Sequence, residues 1–86
     1  MAQVTVRYWA AAKEAAGIAE ETVTADTLAG ALEAVTAARR SDARFSAVLA
    51  RSSFLVDEHP AGLRAHDSIM LADGAVVEVL PASAGG

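Results

Sequence analysis

The most strand-like stretches of the 86-residue chain lie at its two ends: Val4-Thr5-Val6-Arg7-Tyr8-Trp9 near the start and Val76-Val77-Glu78-Val79-Leu80 near the finish. Both are rich in β-branched or aromatic residues, and both alternate apolar with polar positions along part of their length. A chain this short supports one hydrophobic core and no second domain. The two most apolar strands must therefore share that core, and we expect them paired at the centre of a single sheet.

The intervening segments read as helices and short strands. Ala10 to Ala16 are helix formers, stopped by Gly17 at the position where a left-handed residue ends a helix. Glu21-Thr22-Val23-Thr24 is a short strand. Asp26 or Thr27 caps the next helix, in which Leu28, Leu32 and Val35 fall on one face, and Arg39 and Arg40 suit the negative end of its dipole. Gly30 costs that helix about 1 kcal/mol relative to alanine, a loss we expect close packing on the sheet to explain. Asp42 starts a further helical turn carrying Phe45, Val48 and Leu49. Phe54-Leu55-Val56 is a strand, Asp57 to Pro60 a loop, the surroundings of Leu63 a short extended piece, and Asp73-Gly74 a turn. Pro81 ends the last strand because proline cannot continue a sheet interior. The pattern is α+β, with a small mixed sheet packed on one main helix.

Composition removes several function classes. The hydrophobic fraction of 53% overstates the core, since 22 of those residues are alanine. A net charge of -4 lacks the basic stripe that nucleic acid requires, and an acidic surface suits basic pockets on partner proteins. The chain contains no cysteine, hence no disulfide, thiolate metal site or thiol nucleophile. With no apolar run long enough for a membrane span and no signal-type leader, a soluble cytoplasmic protein is expected. His59 and His66 stand near Asp57, Glu58 and Asp67, but this set lacks the histidine spacing of a metal site and reads as a solvated loop. His66-Asp67-Ser68 cannot form a triad from adjacent positions. No phosphate-binding glycine loop is present.

The finish is the most suggestive chemistry. After Pro81 come Ala82-Ser83-Ala84-Gly85-Gly86, residues with nothing to anchor them, so we expect residues 1–81 to form the domain and 82–86 a flexible tail. At an average glycine usage of about 7%, a terminal pair arises by chance in roughly 0.5% of chains. On its own the pair is only suggestive.

Two segments set it in context. Val4 to Gly17 is similar to the strand and Ala-x-x-Arg-Glu-x-x-Gly helix of the MoaD family, the small subunit of molybdopterin synthase, with Lys13 in place of the usual arginine. Leu71 to Gly86 is similar to that family's Leu-x-x-Gly-Asp-x-Val-x-x-x-Pro-Pro-x-x-Gly-Gly ending, with Ala75 for the aspartate and Ala82 for the second proline. The Asp57 to Asp67 loop is longer than usual. MoaD lies within the ubiquitin-like sulfur carriers, which include ThiS. The resemblance implies a β-grasp fold and a reacting C-terminus. The Gly86 carboxylate would be adenylated by a ubiquitin-activating-like enzyme of the MoeB/ThiF kind, which binds the ATP and Mg itself. It would then take sulfur from a rhodanese or a cysteine desulfurase to become a thiocarboxylate. As the small subunit beside a MoaE-like large subunit, it would donate that sulfur to a pyranopterin precursor. The chain would bind no cofactor and would not be an enzyme alone. Gly85 would give access, since glycine enters a narrow channel in backbone conformations closed to other residues.

Other readings share parts of this. A carrier for thiamine, cysteine or tRNA thiolation, or a ubiquitin-like protein modifier, would use the same tail chemistry. A β-grasp adaptor module would use none. Strand alternation adds an expectation about partners. With Val4, Val6, Tyr8, Val77 and Val79 facing inward, Trp9, Val76 and Leu80 face outward beside Pro81. That apolar surface suits a protein interface. Alternatively, Trp9 folds over the sheet edge as core.

Overall fold

The computed structural model describes residues 1–82. Strand β1 (Gln3–Tyr8) leads into helix α1 (Ala10–Ala16), β2 (Glu20–Thr24), α2 (Leu28–Ala38), α3 (Ala43–Ala50), β3 (Ser52–Val56) and β4 (His59–Pro60). A 3-10 turn (His66–Ser68) and β5 (Val76–Pro81) complete the elements among the described residues. The sheet order is β2-β1-β5-β3-β4, with β1 and β5 parallel and the other neighbours antiparallel. The expected central pairing of the two end strands is present, in the register Thr5 opposite Val76 through Tyr8 opposite Val79. No helix among the described residues is long and apolar enough to cross a membrane.

Alternation determines which side the helices cover. Val4, Val6, Val77 and Val79 are wholly buried, and burying each contributes about 1.5–3 kcal/mol. Leu28, Ala31 and Val35 of α2 and Phe45 and Val48 of α3 close over them. Local signals set the helix ends. Gly17 at φ +82 terminates α1, its N–H donating to the Lys13 carbonyl. Thr27 rather than Asp26 caps α2, accepting from the Gly30 N–H at 3.0 Å. Asp26 accepts instead from the Ala2 N–H, and Asp42 caps α3. Gly30 does not serve the sheet: a Cβ there would lie 3.3 Å from the capping oxygen of Thr27. Its smallness leaves room for the cap.

Three expectations need correction. The Asp57 to Pro60 loop is a tight hairpin: Asp57 and Glu58 both take positive φ, and His59 and Pro60 pair back onto β3 as β4. No strand forms near Leu63, which is fully exposed. Here the chain runs irregularly into the 3-10 turn, held by the Leu28 N–H to Ile69 and the Leu71 N–H to Asp26. Third, the last strand runs one residue further than expected, with Pro81 inside it, opposite Ser52, rather than just beyond it. By alternation its nitrogen faces β1, where the ladder would ask it to donate to the Trp9 carbonyl. That carbonyl has turned away to accept from the Ala12 and Lys13 N–H groups of α1. The missing proline donor therefore costs nothing, and Ala82 carries the pairing one residue further through its N–H to the Arg51 carbonyl.

One side chain joins four elements. The Arg39 guanidinium pairs with Glu21 at 2.7 Å, donates to the Ala16 and Val35 carbonyls, and lies 4.7 Å from the Phe45 ring centroid. Glu21 also accepts from the buried Tyr8 hydroxyl, whose ring meets Phe45 edge-on. Its ion pair is mostly shielded from water, so screening is weak.

Arg39→Ala should cost about 2–4 kcal/mol in denaturant unfolding, because it strands the Glu21 carboxylate. A loss below about 0.5 kcal/mol, the size typical of surface substitutions, would contradict the clamp. Burial, then the Glu21 hydrogen bond and charge, hold the Tyr8 hydroxyl well above its ordinary pKa. Above pH ~10 the unfolded chain therefore releases a proton that the folded chain keeps, and stability falls as pH rises. Tyr8→Phe should flatten that alkaline fall in a pH series of unfolding curves.

Candidate functional site

The last described residues sit where the sheet is most tightly held. β5 is flanked by β1 and β3, and the Trp9 N–H donates to the Val79 carbonyl at 3.2 Å. The chain thus leaves the domain from a central strand, beside the start of α1. Gly85 and Gly86, the expected reacting residues, lie outside the described residues, as do Ser83 and Ala84.

Of the expected interface residues, Trp9 and Leu80 lie on the sheet's outer face near the end where β5 finishes. Val76 lies on the same face at the start of β5, and Pro81 follows Leu80 with the parity of the inward Val77 and Val79. Val76, Leu80 and Pro81 are half-buried, and Trp9 is 46% exposed. Trp9 is therefore not folded back as core. Its indole N–H donates to Glu78 Oε1 at 3.1 Å, which fixes the ring across β1 and β5. The face is less apolar than the alternation suggested. Glu78 stands between Val76 and Leu80, and Arg7 and Glu20 form an exposed ion pair beside them. A hollow of about 360 Å³ next to Val76 is lined by Arg7, Asp57, Glu58 and Glu78. Asp57 Oδ1 accepts from the Val76 N–H at 2.9 Å, which ties the hairpin turn to β5.

Glu78 and Asp57 are the contributors that reading the sequence missed. Glu78 occupies an outward position in the β5 alternation, but its bond to Trp9 depends on cross-strand register that no local pattern encodes. The remaining chemical candidates stay apart. His66 packs edge-on against Phe54, 5.3 Å between ring centroids, and His59 is exposed on β4. Among the described residues no group of three or more His, Cys, Asp or Glu is placed to hold a metal ion. A cleft of about 530 Å³ between α2, α3 and β3 is lined chiefly by Leu32, Leu49, Phe54 and Leu55 with scattered serines and His66. It gathers no set of titratable groups.

A mixed sheet of this order, with α2 across one face and the chain leaving from the central β5, defines a ubiquitin-like β-grasp protein. The ThiS family model matches residues 6–86, and the chain belongs to that family. Solved structures agree on the fold. The small archaeal modifier protein 1 from Methanosarcina acetivorans superposes with a TM-score of 0.81 at 20% identity, covering 100% of this chain and 98% of that one. Molybdopterin converting factor subunit 1 from Pyrococcus furiosus gives 0.74 at 20% identity, covering 96% and 100%. A chain of the complex of subunits 1 and 2 of the molybdopterin-converting factor from Helicobacter pylori gives 0.67 at 23%, covering 98% and 99%. A search of curated protein sequences gives no match.

Because Trp9 is bonded on the outside of the sheet, Trp9→Ala should cost no more than about 1 kcal/mol in denaturant unfolding. A loss of about 3 kcal/mol or more, the size of a core truncation, would show that the ring supports the core instead.

Proposed function

We propose that this chain is a sulfur carrier whose reacting group is the Gly86 carboxylate, and that it serves as the small subunit of a molybdopterin synthase. The observation that carries the reading is the family match running through residue 86, on a fold whose central strand ends five residues before Gly86. The likeness to the molybdopterin-converting structures supports the choice of pathway. Alone, the chain would not be an enzyme, because the chemistry needs an activating partner.

A carboxylate at neutral pH is a poor electrophile. An adenylating enzyme of the MoeB/ThiF kind, supplying ATP and Mg, would convert Gly86 to an acyl adenylate with AMP as leaving group. A persulfide delivered by a rhodanese or a cysteine desulfurase would displace AMP to give an acyl disulfide. A second thiol of the protein partners would then attack the donor's sulfur, forming a disulfide with it and releasing the C-terminal thiocarboxylate. Ionised at neutral pH, that sulfur is a nucleophile for the pyranopterin precursor held in a MoaE-like large subunit. Gly85 and Gly86 have no Cβ to obstruct a narrow channel. Trp9, Val76, Leu80 and Pro81 would form the partner interface. Glu78, Asp57 and Glu58 beside them call for a basic patch opposite, so complex formation should weaken as salt is raised.

A second reading has its own support. The superposition on the small archaeal modifier protein favours a protein modifier that uses the same activated C-terminus.

The test is an intact mass after incubation with ATP, an adenylating enzyme and a sulfur donor. We expect one oxygen replaced by one sulfur at Gly86, and no change in a variant lacking Gly85 and Gly86. Conversion of wild type alone, followed by sulfur transfer to the precursor when the large subunit is added, would support the synthase assignment. Adenylate formation without any sulfur product would favour the modifier, and no reaction with several competent enzymes would contradict the carrier reading.

A further inference from the structure

Strand β4 is two residues long and leaves part of β3 uncovered. The Asp57 N–H donates to the Val76 carbonyl and the Ala82 N–H to the Arg51 carbonyl. Odd-numbered residues of β3 therefore turn their backbone groups toward β5, and Ser52, Phe54 and Val56 turn theirs to the opposite edge. On that edge β4 meets Leu55 and Val56, and the Ala61 N–H reaches the Phe54 carbonyl at 2.9 Å. Among the described residues, the Phe54 N–H and the N–H and carbonyl of Ser52 have no backbone partner. Such an edge is a template for a further strand.

The uncovered edge opens into the 530 Å³ cleft, which Ser52 and Phe54 both line. Half-buried Leu32 and Leu49 form apolar walls, and Leu63 stands fully exposed beside Gly62 at the rim. The charge around this apolar ground is positive, although the chain as a whole is acidic. Arg64 is exposed and donates to the Pro60 and Ala61 carbonyls, two residues of the cleft wall. Arg51 follows Ala50 and precedes Ser52, and Arg40 lines a hollow that shares Leu32 and Thr36 with the cleft. Ion pairs among the described residues use Arg7, Arg39 and Arg44, which leaves these three without a carboxylate. Glu33 is the one acid lining the two hollows.

We propose that this cleft docks an extended segment of a partner protein, apolar at alternate positions and flanked by acidic residues, which joins the free edge of β3 as a strand. Its backbone takes up the Phe54 N–H and the Ser52 groups. Because side chains of a strand alternate between two sides, every second residue enters between Leu32 and Leu49. The acidic flanks meet Arg64 and Arg51, and main-chain bonds supply affinity while the apolar pocket supplies selectivity. A fatty acid would satisfy the walls and the arginines but leave the strand edge unpaired. Nucleic acid would find neither an apolar partner nor a continuous basic stripe. Trp9 and Val76 line none of the cleft, so the site is separate from the outer face beside β5.

An amide NMR titration of the isotope-labelled full chain at low salt tests this. The probe is the blocked peptide Asp-Asp-Leu-Thr-Leu-Thr-Leu-Asp-Asp. Saturable shifts should centre on Ser52 and Phe54, with slowed hydrogen exchange at both amides. Arg64→Glu, an exposed substitution, should weaken binding ~3–10-fold, and the difference should shrink as salt is raised. Leu49→Ser, with its fold confirmed by unchanged β1 and β5 resonances, should weaken it at least ~10-fold. The same peptide N-methylated at its three central residues keeps every side chain but loses backbone donors, and should bind ~10-fold more weakly or less. Equal binding of the methylated peptide would overturn the proposal, as would the absence of any shift or shifts centred on Trp9 and Val76. So would concentration-dependent shifts at Phe54 without peptide, which would assign the edge to a second copy of this chain.

Discussion

The parallel pairing of β1 with β5 is the constraint on which the rest of the molecule depends. It joins the two ends of the chain in the middle of the sheet and buries four valines between them and the helices. It also obliges the intervening residues to cover one face only. Parallel neighbours need a crossover, and α1, β2, α2, α3, β3 and β4 together provide it. Pairing the ends has a cost, because non-local contacts close long loops before they stabilise anything. Its consequence for function is direct. The segment that leaves the domain is rooted in a strand bonded on both sides, so a partner acting on it pulls against the core and not against a frayed edge.

Around that pair the polar groups divide the work by face. On the helix side the Arg39 guanidinium, Glu21 and the Tyr8 hydroxyl satisfy one another and tie α1, α2 and β2 to the core. On the outer side Glu78 fixes Trp9 and Asp57 extends the β5 ladder past the hairpin turn. One set stabilises, while the other orients a surface. This separation allows the outer face to vary for partners without disturbing the valine layer beneath.

Much of this was legible locally. The end strands announced themselves by β-branched alternation, and Gly17, Thr27 and Asp42 mark helix ends through short-range hydrogen bonds that a dipeptide context encodes. What escaped was set by distant residues. Arg39 looked like a dipole partner, but its place over Phe45 depends on how two helices pack. A two-residue strand such as β4 is too short for a period, and its turn uses Asp57-Glu58 where Asn-Gly is the usual signal. Ile69 and Leu71 are buried without periodicity because single backbone bonds to α2 and Asp26 hold them. The tail's glycines were readable as residues, and the family match gives them a frame. The mixed polarity of the face near Trp9 emerged only once β1 and β5 were in register.

β1 and β5 form one rigid unit at the place where the chain leaves the domain. Amide hydrogen exchange tests it most directly. The N–H groups of Val77 and Val79 should exchange only through global unfolding, with an opening free energy equal to that from denaturant. Exchange of these amides by local opening, several kcal/mol below the global value, would show instead that β5 detaches from β1 in the folded protein.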